Sequence, residues 1–385
     1  MINRIILLVI DGLGIGALPD ASEYGDADAN TLVHLAETVD GLSLPNFEML
    51  GLGHLVPIKG VRAMVQPNGS FGRLGFASPG KDSVVGYWEI SGLIQKPSPA
   101  VCNSGVPTKI VDIIEQLFGR KSIGRGISTM GAVLCRYSME HMATGAPILW
   151  TDGGNTCCLA MHETVMAPAE FQQRCRDIRK AVKDAGTVVR IVGQPVIGGH
   201  DGLHPQVGRR DFVIEPPGVT MWDVLSRSGQ IVMGIGKIYD LLSGRGFTKS
   251  IPVASGMAAC DEVIGMLNRV PRGLICASVD LLSEDAEQSA TAVQGFDRRL
   301  PELFEKLRLG DMVIVTGDHG KDFSLPERTS TREYVPVFVT GPKLAQGVDL
   351  GSRSTAADVG QTIVEALHAE RLPVGESFLD ALRPG

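Results

Sequence analysis

Ile5-Ile6-Leu7-Leu8-Val9-Ile10-Asp11-Gly12 is the stretch that decides the fold. Six consecutive aliphatic side chains leave no polar face, which is the pattern of a strand buried on both sides of a parallel sheet. A carboxylate and a glycine follow at once, so a charged group stands at the carboxyl end of that strand. In open α/β sheets this edge is where ligands bind.

The same design recurs near the other end of the chain. Residues 312–316 form an apolar run followed by Gly317-Asp318-His319-Gly320, and residues 274–279 form another that ends in Asp280. Between these two runs, 285–307 has helical spacing and an amphipathic face, which predicts a strand–helix–strand unit. Residues 335–340 and 356–368 continue as strand and helix. The middle lacks the strand–carboxylate pattern. It offers a strand at 148–151, a helix over 169–185, a strand at 187–192 and a Gly/His/Pro-rich loop at 193–208. The expected organisation is therefore α/β, a doubly wound core of residues 1–97 and 217–385 interrupted by an inserted α+β domain, 98–216, with hinges near 96–99 and 215–218.

Composition narrows the partners. Net charge is −7 and only 5% of residues are aromatic, so neither the clustered cations nor the stacking surface of a nucleic-acid binder is present. A phosphorylated small molecule is compatible, because a few placed cations suffice to hold it. The first apolar run is too short to span a membrane and lacks a small-residue cleavage site. Seven cysteines without C-x-x-C spacing predict reduced, buried thiols and a cytoplasmic location.

Parallel strands bring Asp11, Asp318 and His319 to one sheet edge, and two carboxylates with an imidazole suit Mn²⁺ or Zn²⁺. Taken singly, Asp11 and Asp318 also suit helix caps. Gly80-Lys81-Asp82-Ser83-Val84-Val85-Gly86-Tyr87-Trp88-Glu89 places a serine hydroxyl between a glycine turn and a helix-compatible stretch, where orphan N–H groups favour an anion. A serine is a poor nucleophile at neutral pH unless a base or a metal makes it an alkoxide; the competing reading is a simple N-cap at Asp82 or Ser83. Gly12-x-Gly14-x-Gly16 is not a dinucleotide fingerprint, because the spacing is wrong and Pro19 interrupts the helix that should receive the pyrophosphate.

An ordered set of motifs resembles the phosphopentomutase family of alkaline-phosphatase-like metalloenzymes. They are Val9-Ile10-Asp11-Gly12-Leu13-Gly14 with Pro19-Asp20, Asn30-Thr31-Leu32 with His34, Leu44-Pro45-Asn46, the segment from Gly80 to Glu89, Ile235-Gly236-Lys237-Ile238, Asp318-His319-Gly320 and Thr331-Arg332-Glu333-Tyr334. The resemblance implies an alkaline-phosphatase-like core with an inserted cap domain, and transfer of a phosphoryl group on a sugar phosphate or related small molecule. Asp11, Asp318 and His319 are then the ligands of one divalent ion, Mn²⁺ foremost, with Zn²⁺ and Mg²⁺ as other candidates. Ser83 replaces the family's Thr as phosphoryl acceptor and as a further ligand. Lys81, His162 and Arg332 are expected to contact substrate.

The family's second metal site does not carry over. Leu282 stands where a ligand Asp belongs, Glu287 where a His belongs and Ser330 where another His belongs, so one ion is expected rather than two. Lys321 and Arg328 are expected to supply the missing positive charge as catalytic residues. Glu287 with Glu284 or Asp285 is the other candidate for a rebuilt site. In the inserted domain, Asp152-Gly153-Gly154-Asn155 replaces a Ser-Ala-Asp-Ser segment and Gln194-Pro195 replaces an Arg-Pro. Both changes remove groups expected to hold the sugar phosphate. A single-metal hydrolase of the sulfatase kind and an inactive binding homologue therefore stay as alternatives to the mutase.

Overall fold

The computed structural model describes residues 1–95, 102, 104–152, 154–183, 188–199, 202–325 and 330–384. They form fourteen strands: β1 (Arg4–Ile10), β2 (Ser70–Leu74), β3 (Ile123–Ile127), β4 (Ile148–Thr151), β5 (Thr156–His162), β6 (Arg190–Gly199), β7 (Gly202–Pro205), β8 (Arg210–Val213), β9 (Val232–Ile235), β10 (Lys249–Ile251), β11 (Gly273–Val279), β12 (Asp311–Gly317), β13 (Val335–Thr340) and β14 (Asp349–Arg353). The chain divides into two compact units, Met1–Lys96 with Pro216–Gly385, and Pro97–Glu215.

The first unit carries an eight-stranded sheet in the order β10-β9-β11-β1-β12-β13-β2-β14. All neighbours pair in parallel except β13, which runs against both β12 and β2. Every residue of β1 is buried. Ile6, Leu8 and Ile10 join a core cluster with Leu32, Leu35, Phe47, Val263, Val293 and Phe296 from helices on one face, while Ile5, Leu7 and Val9 are buried on the other. That two-sided burial is why the strand reads as an unbroken apolar run. The expected strand–helix–strand unit is present as β11, the Ala286–Phe304 helix and β12, and the chain's first strand lies between its two strands. Arg4, fully buried at the far end of β1, is held by Asp311 and by the Leu267 and Val270 carbonyls.

The second unit is an α+β fold around a sheet in the order β3-β4-β5-β6-β7, with β8 also paired to β6. The Thr108–Phe118 and Pro168–Ala181 helices cover one face and the Met130–Thr144 helix the other. The expected loop at 193–208 is corrected here: β6 runs on to Gly199 and pairs antiparallel with β7. Its glycines suggested a loop, yet Gly198 and Gly202 adopt φ of 123° and 131° within the hairpin itself. All seven cysteines are free thiols.

Candidate metal and phosphoryl-transfer centre

The site is built from strand ends. Val279, Ile10 and Gly317 are register partners on the adjacent strands β11, β1 and β12. The next residue on each is an aspartate, so Asp280, Asp11 and Asp318 stand side by side at one edge of the sheet. Asp11, Asp318 and His319 bring one ligand atom each to within 4.8 Å of one another. His319 Nε2 lies 3.1 Å from Asp11 Oδ1 and 3.5 Å from Asp318 Oδ2. Neither aspartate caps a helix; Asp318 Oδ1 instead accepts from the Gly12 amide at 3.1 Å, tying the β12 end to the β1 turn.

Ser83 completes the group. Asp82 is the N-cap of the Ser83–Ile90 helix, accepting from the Val84 and Val85 amides at 2.8 and 3.2 Å, which leaves the Ser83 hydroxyl uncommitted to capping. Its Oγ lies 3.1 Å from His319 Nε2 at the first turn of the helix. Gly86 permits the approach, since a Cβ there would sit 2.1 Å from the Asp318 carbonyl oxygen.

The donor set fits a divalent cation. His319 Nδ1 is 2.8 Å from the Gly320 carbonyl, so that nitrogen carries a hydrogen and Nε2 is the atom that would ligate an ion once its own proton is displaced. Asp318 Oδ2 is buried and accepts no hydrogen bond, a charged oxygen left for a cation. The electrostatics agree. Burial raises the Asp11 carboxyl, but Lys237 and His319 outweigh it and hold the group well below the usual range. Burial and the neighbouring Asp11 charge push Asp318 up, although His319 opposes them. Burial lowers the His319 imidazole, yet Asp318 and Asp11 lift it to about 9. A proton there stands in for the charge of an ion.

The loops around the centre are held by two buried side chains. Glu333 accepts from the Gly16 amide, the Thr31 amide and hydroxyl, and the Thr331 hydroxyl at 2.6–3.0 Å. Arg332 was expected to contact substrate; the structure corrects this. Its guanidinium donates to both Asp20 oxygens and to the Phe76, Ser78 and Gly80 carbonyls, so every N–H is committed to fixing the turn before Ser83. Lys81 pairs with Asp26 at 2.8 Å and reaches the Tyr24 carbonyl. His162 lies in the second unit, buried, with Nδ1 at Thr164 Oγ1 and Nε2 at the Gly198 carbonyl. Lys321 is close to the centre, its Nζ 3.1 Å from the Leu282 carbonyl, and Arg328 lies outside the described residues. Ser330 Oγ is 3.4 Å from His319 Nε2. Glu287 is exposed in the first turn of its helix, and among the described residues Asp11, Asp318 and His319 are the only cluster suited to a metal.

Sequence reasoning missed Lys237. Its Nζ contacts Asp11 Oδ2 and lies 3.1 Å from Asp280 Oδ1, with the side chain only 10% exposed. The signal was available, because Lys237 follows β9 almost at once and so meets the strand-end criterion that singled out Asp11.

Two carboxylates, an imidazole and a serine hydroxyl gather at one sheet edge with a geometry that could hold a divalent ion, and residues 245–371 match the model of the Metalloenzyme superfamily. The PH0037 protein from Pyrococcus horikoshii shares the fold, with a TM-score of 0.50 at 12% identity over 97% of this chain and 99% of that one. The phosphopentomutase of Carboxydothermus hydrogenoformans is 37% identical over 388 residues, covering 99% of this chain and all of the relative. That of Alkaliphilus metalliredigens is 34% identical over 384 residues, 98% of each. The chain belongs to the phosphopentomutase family.

Proposed function

We propose that this protein is a phosphomutase that moves a phosphoryl group between two oxygens of a phosphorylated sugar through a phosphorylated Ser83. The observation that carries this is the Ser83 hydroxyl standing 3.1 Å from His319 Nε2, in the cup formed with Asp11 and Asp318. Bound there, a divalent ion supplies Lewis acidity that lowers the pKa of a coordinated hydroxyl and draws charge from a phosphoryl oxygen. Asp11, Asp318, His319 and Ser83 would hold it, and Mn²⁺ suits this mixed oxygen and nitrogen set. One ion is our reading, supported by Leu282, Glu287 and Ser330 at the places where the family's other ligands fall.

In the cycle, phospho-Ser83 gives its phosphoryl group to a free hydroxyl of the sugar phosphate. The Ser83 Oγ–P bond breaks as the new sugar O–P bond forms, and the sugar's proton is matched by the one Ser83 regains. The phosphoryl group that the substrate brought is then transferred to Ser83: its sugar O–P bond breaks as the Ser83 Oγ–P bond re-forms, and the Ser83 proton passes to the freed sugar oxygen. The helix N-terminus beneath Ser83 favours the phosphorylated state.

The sugar itself is a separate matter. Gln194 Nε2 donates to the Pro195 and Gln206 carbonyls at 2.7 and 2.9 Å, where the family carries an arginine. This favours a substrate other than ribose phosphate. The unpaired thiols support a reducing, cytoplasmic setting. Intact-mass spectrometry after incubation with Mn²⁺ and a sugar bisphosphate tests the reading: one phosphoryl group is expected on the wild type and none on Ser83→Ala. Labelling that persists in the variant refutes the nucleophile.

A further inference from the structure

Four side-chain oxygens crowd one nitrogen. His319 Nε2 has Asp11 Oδ1 and Ser83 Oγ at 3.1 Å, Ser330 Oγ at 3.4 Å and Asp318 Oδ2 at 3.5 Å. Three of these oxygens form the cup already described. The fourth, Ser330, comes from the segment before β13, and the backbone holds it in place. Gly320 and Thr331 form an isolated antiparallel bridge, their amides and carbonyls paired in both directions at 3.0 and 2.7 Å. The bridge draws their chain neighbours, His319 and Ser330, together. Gly320 allows the two segments to close, since a Cβ there would lie 2.5 Å from Thr331 Oγ1. Thr331 is pinned in turn by its hydroxyl, which donates to buried Glu333 at 2.6 Å. Ser330 itself is half-buried, and His319 Nε2 is the partner of its hydroxyl among the described residues.

Adjacent ligands of an ion bound at about 2.1 Å stand about 3.0 Å apart at a right angle and about 3.4 Å apart at the tetrahedral angle. All four oxygens lie at such separations from Nε2. A hydrogen bond does not account for the Ser330 contact in the loaded protein, because a ligating Nε2 has neither a hydrogen to donate nor a lone pair to share. We propose that Ser330 is a further ligand of the divalent ion, a neutral hydroxyl that joins Asp11, Asp318, His319 and Ser83. The assignment rests on the functional reading above. Its charge suits the place. Asp11 and Asp318 already balance a divalent ion, and a third carboxylate would blunt the pull of that ion on a phosphoryl oxygen. Its reach suits the place as well. A serine carries its oxygen one bond beyond Cβ, so it serves only an ion close to its own backbone, here the one that His319 holds. The consequence concerns the cycle. Ser83 Oγ becomes an ester oxygen, a poorer donor, whenever it carries the phosphoryl group. Ser330 does not react, and it anchors the ion through that half of the turnover.

Ser330→Cys in the full-length protein reads ligation directly, since a thiolate bound to Cd²⁺ absorbs in the ultraviolet by charge transfer. Titration with Cd²⁺ is expected to raise such a band in Ser330→Cys, saturating at about one equivalent, above the background that the native thiols give in the wild type and in Ser330→Ala. Titration with Mn²⁺, with the free ion followed by electron paramagnetic resonance, is expected to give a Kd about tenfold higher in Ser330→Ala than in the wild type. A residue that merely steadied His319 would weaken Mn²⁺ binding without producing the band. A Ser330→Cys protein that binds Cd²⁺ with no added charge-transfer absorption therefore overturns the proposal, and so does a Ser330→Ala protein that holds Mn²⁺ as tightly as the wild type. If either variant does not fold, the other decides. A wild type whose Ser83 never acquires phosphate, beside a positive Ser330→Cys spectrum, refutes the mutase reading and leaves the ligand in place. Normal loading of Ser83 with neither Ser330 effect refutes the ligand alone.

Discussion

Gly86→Ala isolates the contact that brings the Ser83 helix to the sheet. Two effects oppose each other. Alanine favours the interior of a helix over glycine by about 1 kcal/mol, so with open space the variant gains stability. Here the added Cβ falls 2.1 Å from the Asp318 carbonyl oxygen and 3.0 Å from Asp318 Cβ. An ordinary C···O contact is roughly 3.3 Å, so helix and strand end must part by about 1 Å. Overpacking of this kind costs about 1–3 kcal/mol, which offsets or exceeds the helix gain, and a net loss of up to about 2 kcal/mol is expected. The displaced group is Ser83, whose Oγ sits 3.1 Å from His319 Nε2. A 1 Å misplacement of a reacting group costs on the order of 100-fold in rate. Denaturant unfolding gives the first quantity, and the rate of phosphoryl loading on Ser83, followed by intact mass, gives the second. A variant that is more stable than the wild type and loads within threefold of its rate refutes the claim that Gly86 is there for this approach.

Two further outcomes follow from groups outside the centre. Arg332→Met removes five donors from the 40% exposed Asp20 carboxylate and the Phe76, Ser78 and Gly80 carbonyls, and is expected to cost about 2–3 kcal/mol in denaturant unfolding, chiefly from carbonyls left unpaired; a loss under 1 kcal/mol would show that the turn before Ser83 is held elsewhere. In the second unit, burial raises Glu115, but Lys121, Ser122 and Arg125 outweigh it and hold the group at about 2. Its folded value lies below the unfolded one, so it stabilises the fold above about pH 4.5 and that contribution fades as pH falls through 2. With its cationic partners exposed, we expect about 1–2 kcal/mol, and Glu115→Gln should flatten the wild type's acid limb by that amount. Parallel acid limbs in the two proteins would contradict this.

Much of the core was legible because burial on both faces writes itself into sequence: residues 5–10 admit no other economical reading, and a carboxylate immediately after such a strand can only lie at the sheet's ligand edge. Ser83 was legible through the glycine turn before it. Lys237 was missed although it follows a strand end, since that criterion was applied to carboxylates and a long side chain acts far from its backbone. Arg332 failed in the opposite sense. An arginine in a motif announces five donors but not their direction, and here all of them point into the protein. The β6–β7 hairpin was hidden because its glycines serve a bend within pairing strands rather than an open loop.

The placement of β1 has a consequence for how the chain is made. Its neighbours β11 and β12 begin some 270 residues or more downstream, so the strand must wait for that much further chain to be made before it finds either partner. Residues 97–215, contiguous and with a core of their own, are complete long before that. Synthesis from the N-terminus therefore delivers a folded insert carrying an unfinished core, with an aliphatic hexapeptide exposed meanwhile to whatever holds nascent chains apart.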